Sequence, residues 1–233
     1  MLRTKDIQPI SRLHYLTQDN VPGYGHAALA EIACKAGIKW VQLRVKGIDF
    51  DSWLSIAREV KAITDYYNSV LIINDSLEIA MKVGADGVHL GKNDMPVAEA
   101  RKIAGNHFII GATANNEVDF EKALISGADY IGLGPFRFTN TKENLSPVLG
   151  LERMAAIANK QSEIPVIAIG GIQLDDISLI LNSGIYGVAI SSAINLAENK
   201  TKVAKDFQSL VDLESLKANK DFPSFINFES QNK

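Results

Sequence analysis

The sequence predicts an α/β protein of the (β/α)8 TIM-barrel class, folded as a single domain, and three observations carry that reading. A phrase recurs four times: Gly37-Ile-Lys-Trp-Val-Gln-Leu, Gly84-Ala-Asp-Gly-Val-His-Leu, Gly127-Ala-Asp-Tyr-Ile-Gly-Leu and Gly184-Ile-Tyr-Gly-Val-Ala-Ile. Each copy puts a glycine where a helix stops in the left-handed conformation, with an apolar strand two residues on. Between successive copies lies a further short apolar run: Val70–Ile73, Phe108–Gly111 and Val166–Ile169. The runs are continuous rather than alternating, as expected for a parallel sheet covered on both faces. A chain of 233 residues is long enough for one such barrel and its core.

With Leu13–Leu16 as the first run, eight strands are expected to start near residues 13, 39, 70, 87, 108, 130, 166 and 187. Helical periodicity is clearest from Phe50 to Tyr67, where Trp53, Leu54, Ile56, Ala57, Val60 and Ile63 recur at three- and four-residue steps. Shorter stretches from Glu117 to Ile125 and from Asp175 to Asn182 behave alike. Strictly alternating units point to a barrel, and a doubly wound open sheet is the competing topology. No linker, low-complexity block or charge run divides the chain. The barrel is placed at residues 1–217 and a C-terminal tail of weak periodicity at 218–233.

A net charge of −3 offers no general attraction to nucleic acid or to an acidic membrane surface. No apolar run reaches the length of a membrane span, and the first residues lack the apolar core of a signal peptide. A lone cysteine, Cys34, rules out a disulfide within the chain and suits a reducing cytoplasm; a small buried residue on a helix is its simplest role. The sequence leaves open whether the chain forms a homo-oligomer.

In this fold the chemistry gathers where strands end. After strand two, alternation in Gln42-Leu-Arg-Val-Lys46 puts Gln42, Arg44 and Lys46 on one side, as a polar row at the barrel mouth or a solvated edge. Asn74 and Asp75 follow strand three, and Asp94 comes four residues beyond strand four. Two carboxylates from adjacent strands suit Mg2+, which takes one or two carboxylates beside substrate oxygens; both also suit helix N-caps. His89, inside strand four, reads as a packed residue. Thr113 after strand five is placed to meet a ligand, or to cap or turn the chain. After strand six, Gly134-Pro135 leads to Thr139, Thr141 and Lys142, hydroxyls beside a cation, which suit a phosphate as well as an ordinary solvated loop. Gly170-Gly171 ends strand seven and Ser191-Ser192 ends strand eight, where barrels of this class hold phosphate.

These residues divide into two anion zones. Arg44, Lys46 and Lys142 with Asp75, Asp94 and one Mg2+ leave enough positive charge for a pyrophosphate ester. Thr139, Thr141, Gly171, Ser191 and Ser192 form a neutral, donor-rich zone suited to a monophosphate. Two phosphorylated small molecules, one of them releasing pyrophosphate, is the reaction class that follows.

At this point the sequence resembles the thiamine phosphate synthase family over roughly residues 13 to 195. The motifs are Gln-x-Arg-x-Lys, Asn-Asp, Gly-Ala-Asp-Gly-Val-His-Leu-Gly followed by Asp, Gly-Pro followed by Thr-x-Thr-Lys, and Ile-Gly-Gly-Ile. The resemblance implies coupling of 4-amino-2-methyl-5-hydroxymethylpyrimidine diphosphate to a thiazole phosphate, giving thiamine monophosphate and pyrophosphate. It assigns the pyrimidine diphosphate to Gln42, Arg44, Lys46, Asn74, Thr113 and Lys142, with Arg44, Lys46 and Lys142 catalytic. Mg2+ falls to Asp75 and Asp94, and the thiazole phosphate to Thr139, Thr141, Gly171, Ser191 and Ser192. Two positions depart from the family. Val45 replaces a common glutamate, and alternation should turn it away from the cavity. Thr113-Ala-Asn115 stands where Ser-Ala-His is usual, so the hydroxyl survives and any role of that histidine does not. Rival readings are a thiazole tautomerase-like relative and a non-catalytic sensor of thiamine precursors on the same barrel.

Overall fold

The computed structural model describes residues 10–138, 146–160 and 164–220. Its eight strands are β1 (Leu13–Leu16), β2 (Trp40–Leu43), β3 (Val70–Asn74), β4 (Gly87–Leu90), β5 (Ile109–Ala114), β6 (Tyr130–Leu133), β7 (Val166–Ile169) and β8 (Gly187–Ile190). All pair in parallel in chain order, and Leu13, His14 and Tyr15 of β1 pair with Val188, Ala189 and Ile190 of β8. That last pairing closes the barrel and excludes the open sheet. Six strands start where the apolar runs do; β2 and β5 start one residue later, at Trp40 and Ile109, within the ordinary latitude of an element's end.

The helices on the outside are α1 (His26–Lys35), α2 (Phe50–Tyr66), α3 (Leu77–Val83), α4 (Val97–Ala104), α5 (Glu117–Ile125), α6 (Gly150–Asn159), α7 (Ile177–Asn182), α8 (Ser192–Asn195) and α9 (Lys200–Lys220). Three start on side-chain caps that satisfy a free backbone N–H: Asp49 accepts from Ser52, Ser76 from Ile79 and Asn116 from Asp119. The stretch expected to be one helix from Asp175 to Asn182 is a 3-10 turn, Leu174–Asp176, running into α7. Asp176 accepts from the Gln173 N–H there and tightens the first turn. α9 buries Ala204, Phe207 and Val211 on one face, against α1, α7 and α8. It continues through the boundary placed at residue 218, and residues 221–233 lie outside the described ones.

The repeated phrase has a double physical basis. Gly37, Gly84, Gly127 and Gly184 all have positive φ, between 66° and 98°, which a residue with a Cβ adopts only at a cost. In two copies the aspartate two residues later also ties strands together. The Asp86 N–H donates to the Leu71 carbonyl, while its carboxylate accepts from the Leu71 N–H. Asp129 does the same with Ile110, and the same carboxylate takes a charged hydrogen bond from Arg101.

The core has two shells. The larger one lies between strands and helices and includes Cys34, buried on α1. The smaller one fills the barrel with Leu16, Trp40, Val70, Ile72, Ile109, Tyr130, Ile167 and Ala189. Tyr130 sits at its centre because Gly111 leaves room: a Cβ there would lie 2.2 Å from the Tyr130 ring. Among the described residues no helix is long and apolar enough to cross a membrane.

His14 packs inside this shell, stacked on Trp40 at 4.4 Å between ring centroids and edge-on to Tyr130. Its Nε2 has no hydrogen-bond partner. Burial, reinforced by the nearby His89, lowers its pKa from 6.5 to about 3, against a small opposing effect of the Ser11 backbone. The unfolded chain therefore takes up a proton on His14 at a pH where the folded one does not. This contribution to stability is whole above pH 6.5 and lost as pH falls toward 3. His14→Phe keeps the stacking and removes the titrating group. Urea unfolding at about pH 7 and about pH 4.5 should show a smaller loss of stability in the variant than in wild type. Equal losses would contradict this account of His14.

Candidate active site

Of the residues predicted for the pyrimidine diphosphate and Mg2+, the described ones, Gln42, Arg44, Lys46, Asn74, Asp75, Asp94 and Thr113, lie in or just beyond β2 to β5. Gln42 and Asn74 are buried on neighbouring strands, and Gln42 Nε2 donates to Asn74 Oδ1 at 2.7 Å. This bond fixes the Gln42 amide with its NH2 toward Asn74. Beyond β2, the Arg44 guanidinium lies 4.0 Å from the Asp19 carboxylate, and the Lys46 ammonium pairs with Asp75. Val45 between them is buried in the outer shell with Leu43, so it does face away from the mouth.

Neither predicted aspartate is a helix cap. Ser76 caps α3, and α4 begins at Val97 after Pro96. Asp75 instead has φ of +67°, a left-handed conformation that an aspartate tolerates better than most residues. Its N–H donates to the His89 carbonyl at 2.8 Å, holding the turn against β4. Asp94 folds back so that Oδ2 accepts from the Gly91 N–H at 2.7 Å. Burial raises the Asp94 pKa, and contact with the Asp75 carboxylate raises it further, against the lowering by the Gly91 N–H. Two carboxylates within reach of each other, with the Lys46 ammonium paired to Asp75, are hard oxygen donors suited to a divalent cation.

Thr113 lies within β5, not in a cap or turn, and its Oγ1 is 2.9 Å from His89 Nε2. His89 is buried, as its place in the strand implied, yet it is more than packing. Its Nδ1 meets the Tyr130 hydroxyl at 3.0 Å, so the inner shell braces the Thr113 side chain. Asn115, where the family pattern has histidine, donates from Nδ2 to the Gly134 carbonyl at 2.6 Å. It thereby anchors the strand end from which the Thr139–Lys142 segment departs. Thr139, Thr141 and Lys142 themselves lie outside the described residues.

The second zone is built at the ends of β7 and β8. Gly171 has φ of +67°, and a Cβ there would approach Arg137 Cγ to 2.5 Å and the Phe138 carbonyl to 2.9 Å. Arg137, which the sequence did not single out, donates to both Asp176 oxygens at 2.7 and 2.8 Å and to the Gly171 carbonyl at 3.2 Å. It clamps the chain after β6 onto the Gly170-Gly171 turn. Ser191 precedes α8, and Ser192 is its first residue. Ser191 Oγ accepts from Asn195 Nδ2 at 3.2 Å, and Asn195 is fully buried between the Leu16 carbonyl and the Tyr15 hydroxyl. α8 is a single turn, so any anion here meets backbone N–H groups and hydroxyls rather than a long helix dipole. Arg137 and Asn195 escaped the sequence reading because ordinary polar residues gain meaning only once strands six, seven, eight and one are adjacent.

Comparison with known proteins shows the family. Residues 13–194 match the family model described as thiamine monophosphate synthase. The chain belongs to that family. The thiamine-phosphate synthase of Bacteroides fragilis is 43% identical over 197 residues, spanning 83% of this chain and 96% of the relative. That of Flavobacterium psychrophilum is 47% identical over 171 residues, 72% of this chain and 83% of its own. A solved thiamine phosphate pyrophosphorylase from Pyrococcus furiosus superposes with a TM-score of 0.79 at 30% identity, covering 87% of this chain and 96% of that one. The family's activity is thus the chain's own: it is a transferase that makes thiamine phosphate, and its substrates are small molecules.

The left-handed backbone at Asp75 can be tested apart from catalysis. Asp75→Gly should be more stable than Asp75→Ala by about 1 kcal/mol, because only alanine bears the Cβ penalty of that conformation. Urea midpoints of the two variants measure the difference. Equal midpoints would show that the turn relaxes.

Proposed function

We propose that the mouth divides the reaction between its two zones. Gln42, Arg44, Lys46, Asn74 and Thr113 receive the pyrimidine diphosphate with Lys142, and Gly171, Ser191 and Ser192 receive the thiazole phosphate with Thr139 and Thr141. The observation that carries this reading is the meeting of Lys46, Asp75 and Asp94 at the ends of three successive strands. Asp75 and Asp94 would hold Mg2+, which when bound neutralises charge on the diphosphate oxygens. Lone, buried Cys34 agrees with a reducing cytoplasm as the place of work.

The resemblance implies a dissociative reaction. The C–O bond to pyrophosphate breaks as the aminopyrimidine supplies electrons, and the thiazole nitrogen captures the cation. That nitrogen carries no proton, so the step requires no general base. What the protein supplies is charge and placement. Arg44, Lys46 and Lys142 meet the negative charge that grows on the departing pyrophosphate. The Gln42–Asn74 pair and the braced Thr113 fix the pyrimidine, and the second zone presents the thiazole nitrogen to it.

The direct test is to mix both substrates with the protein in Mg2+, then in EDTA, and assay thiamine phosphate. Product with Mg2+ that disappears with EDTA is expected; product unaffected by EDTA would remove the metal from the reading. Absence of product in both conditions would contradict the two-zone reading of the mouth. Lys142→Ala should lower the single-turnover rate by roughly two to three orders of magnitude, the usual loss for one preorganised stabilising donor. A rate within about threefold of wild type would remove Lys142 from the catalytic set.

A further inference from the structure

Strand β2 ends at Leu43, yet the assignment of Arg44 and Lys46 to the diphosphate requires both side chains on the same side as Gln42 beyond it. Past that end the backbone has lost its regular strand partner. The β1–β2 ladder runs through Leu16 paired with Gln42 and one more backbone bond, from the Thr17 N–H to the Gln42 carbonyl at 3.0 Å. From there side chains take over. The Arg44 N–H donates to Thr17 Oγ1 at 3.1 Å, and the Lys46 N–H to Asp19 Oδ1 at 3.4 Å. Alternate residues of the outgoing chain are thus caught by alternate residues of the β1 loop.

His26, the first residue of α1, locks the two catching groups together. Its Nδ1 lies 2.9 Å from Thr17 Oγ1 and its Nε2 lies 3.1 Å from Asp19 Oδ1. Thr17 Oγ1 already accepts from Arg44, so its own hydroxyl proton is available to Nδ1. In the neutral ring the Nε2 proton then goes to Asp19, and one tautomer serves both contacts. Thr17 is fully buried, and only 10% of the His26 side chain is exposed. The other Asp19 oxygen faces the Arg44 guanidinium at 4.0 Å.

We propose that Thr17, Asp19 and His26 are positioning residues for the pyrophosphate half of the site. They extend the β1–β2 ladder by two side-chain rungs and so hold Arg44 and Lys46 toward the mouth. The proposal rests on the assignment of those two cations to the diphosphate. It also makes a choice that charge alone would make the other way. Asp19 is a carboxylate near an anion site, so as a mere neighbour it would weaken anion binding and its removal would tighten it. As a rung it strengthens binding by fixing the two cations before the ligand arrives.

The experiment is calorimetric titration of the full-length protein and its variants with inorganic pyrophosphate in excess Mg2+, followed by titration with the thiazole phosphate. Asp19→Asn keeps an acceptor oxygen and loses the charge; it should bind pyrophosphate within about twofold of wild type, or more tightly. Asp19→Ala loses the rung and should bind about tenfold more weakly, the scale of one lost hydrogen bond that leaves a donor unpaired. Neither should alter affinity for the thiazole phosphate. His26→Ala, expected to weaken pyrophosphate about three- to tenfold, decides the matter if Asp19→Ala does not fold. Asp19→Ala binding as well as wild type, equal weakening in both Asp19 variants, or an unchanged His26→Ala would overturn the proposal. Wild type that shows no pyrophosphate binding would overturn it as well. The predicted variant pattern in a protein that makes no thiamine phosphate would instead sink the catalytic reading and leave the rungs standing.

Discussion

Asp75 meets Asp94 because the backbone turns into the left-handed region the moment β3 ends. That turn is anchored by the Asp75 N–H on the His89 carbonyl, and it leaves Ser76 rather than Asp75 to cap α3. A carboxylate freed from capping can serve a ligand, and here it lies beside a second carboxylate and the Lys46 ammonium. The arrangement is unfavourable on its own account: burial and like charge both resist ionisation of Asp94. Strained backbone and crowded carboxylates persist only where surrounding structure holds them, and such places are commonly functional. On the neighbouring strand ends lie the Gln42–Asn74 bond and the side-chain bonds that hold the backbone at Arg44 and Lys46.

The barrel interior is part of the same arrangement. Tyr130 fills the centre above the space left by Gly111, and its hydroxyl reaches His89, which reaches Thr113. A packing residue at the core thereby fixes a hydroxyl at the mouth, in two hydrogen bonds. On the other side, Tyr15 and Asn195 link β1 to the Ser191 end of β8. Closure of β8 onto β1 is what makes this second link available, since Tyr15 pairs directly with Ile190. Shape and chemistry are not separable here.

Much of this was legible in the sequence, for a definite reason. Strands buried on both faces read as apolar runs, and a helix that must stop in a left-handed turn writes a glycine, so the eight units could be counted. Alternation correctly put Val45 away from the mouth, since the period of two survives a short way past the strand. The capping alternative for Asp75 and Asp94 could not be settled that way, because a cap and a ligand have the same residue type and differ only in φ and partner. His89 shows the opposite limit: its burial was readable and its bond to Thr113 was not, since that contact joins strands four and five. Arg137, Asn195, Asp19 and His26 carry no motif of their own. Their roles exist only across loops that the closed barrel brings together.

The claim most central to this account is that Asp75 and Asp94 form one divalent-cation site at the mouth. Anomalous difference density from crystals grown with Mn2+ and pyrophosphate measures it directly. The account predicts one strong peak touching both carboxylates, lost in Asp75→Asn, with pyrophosphate beside Arg44 and Lys46. A peak elsewhere, or pyrophosphate bound with no metal at these two side chains, would contradict it.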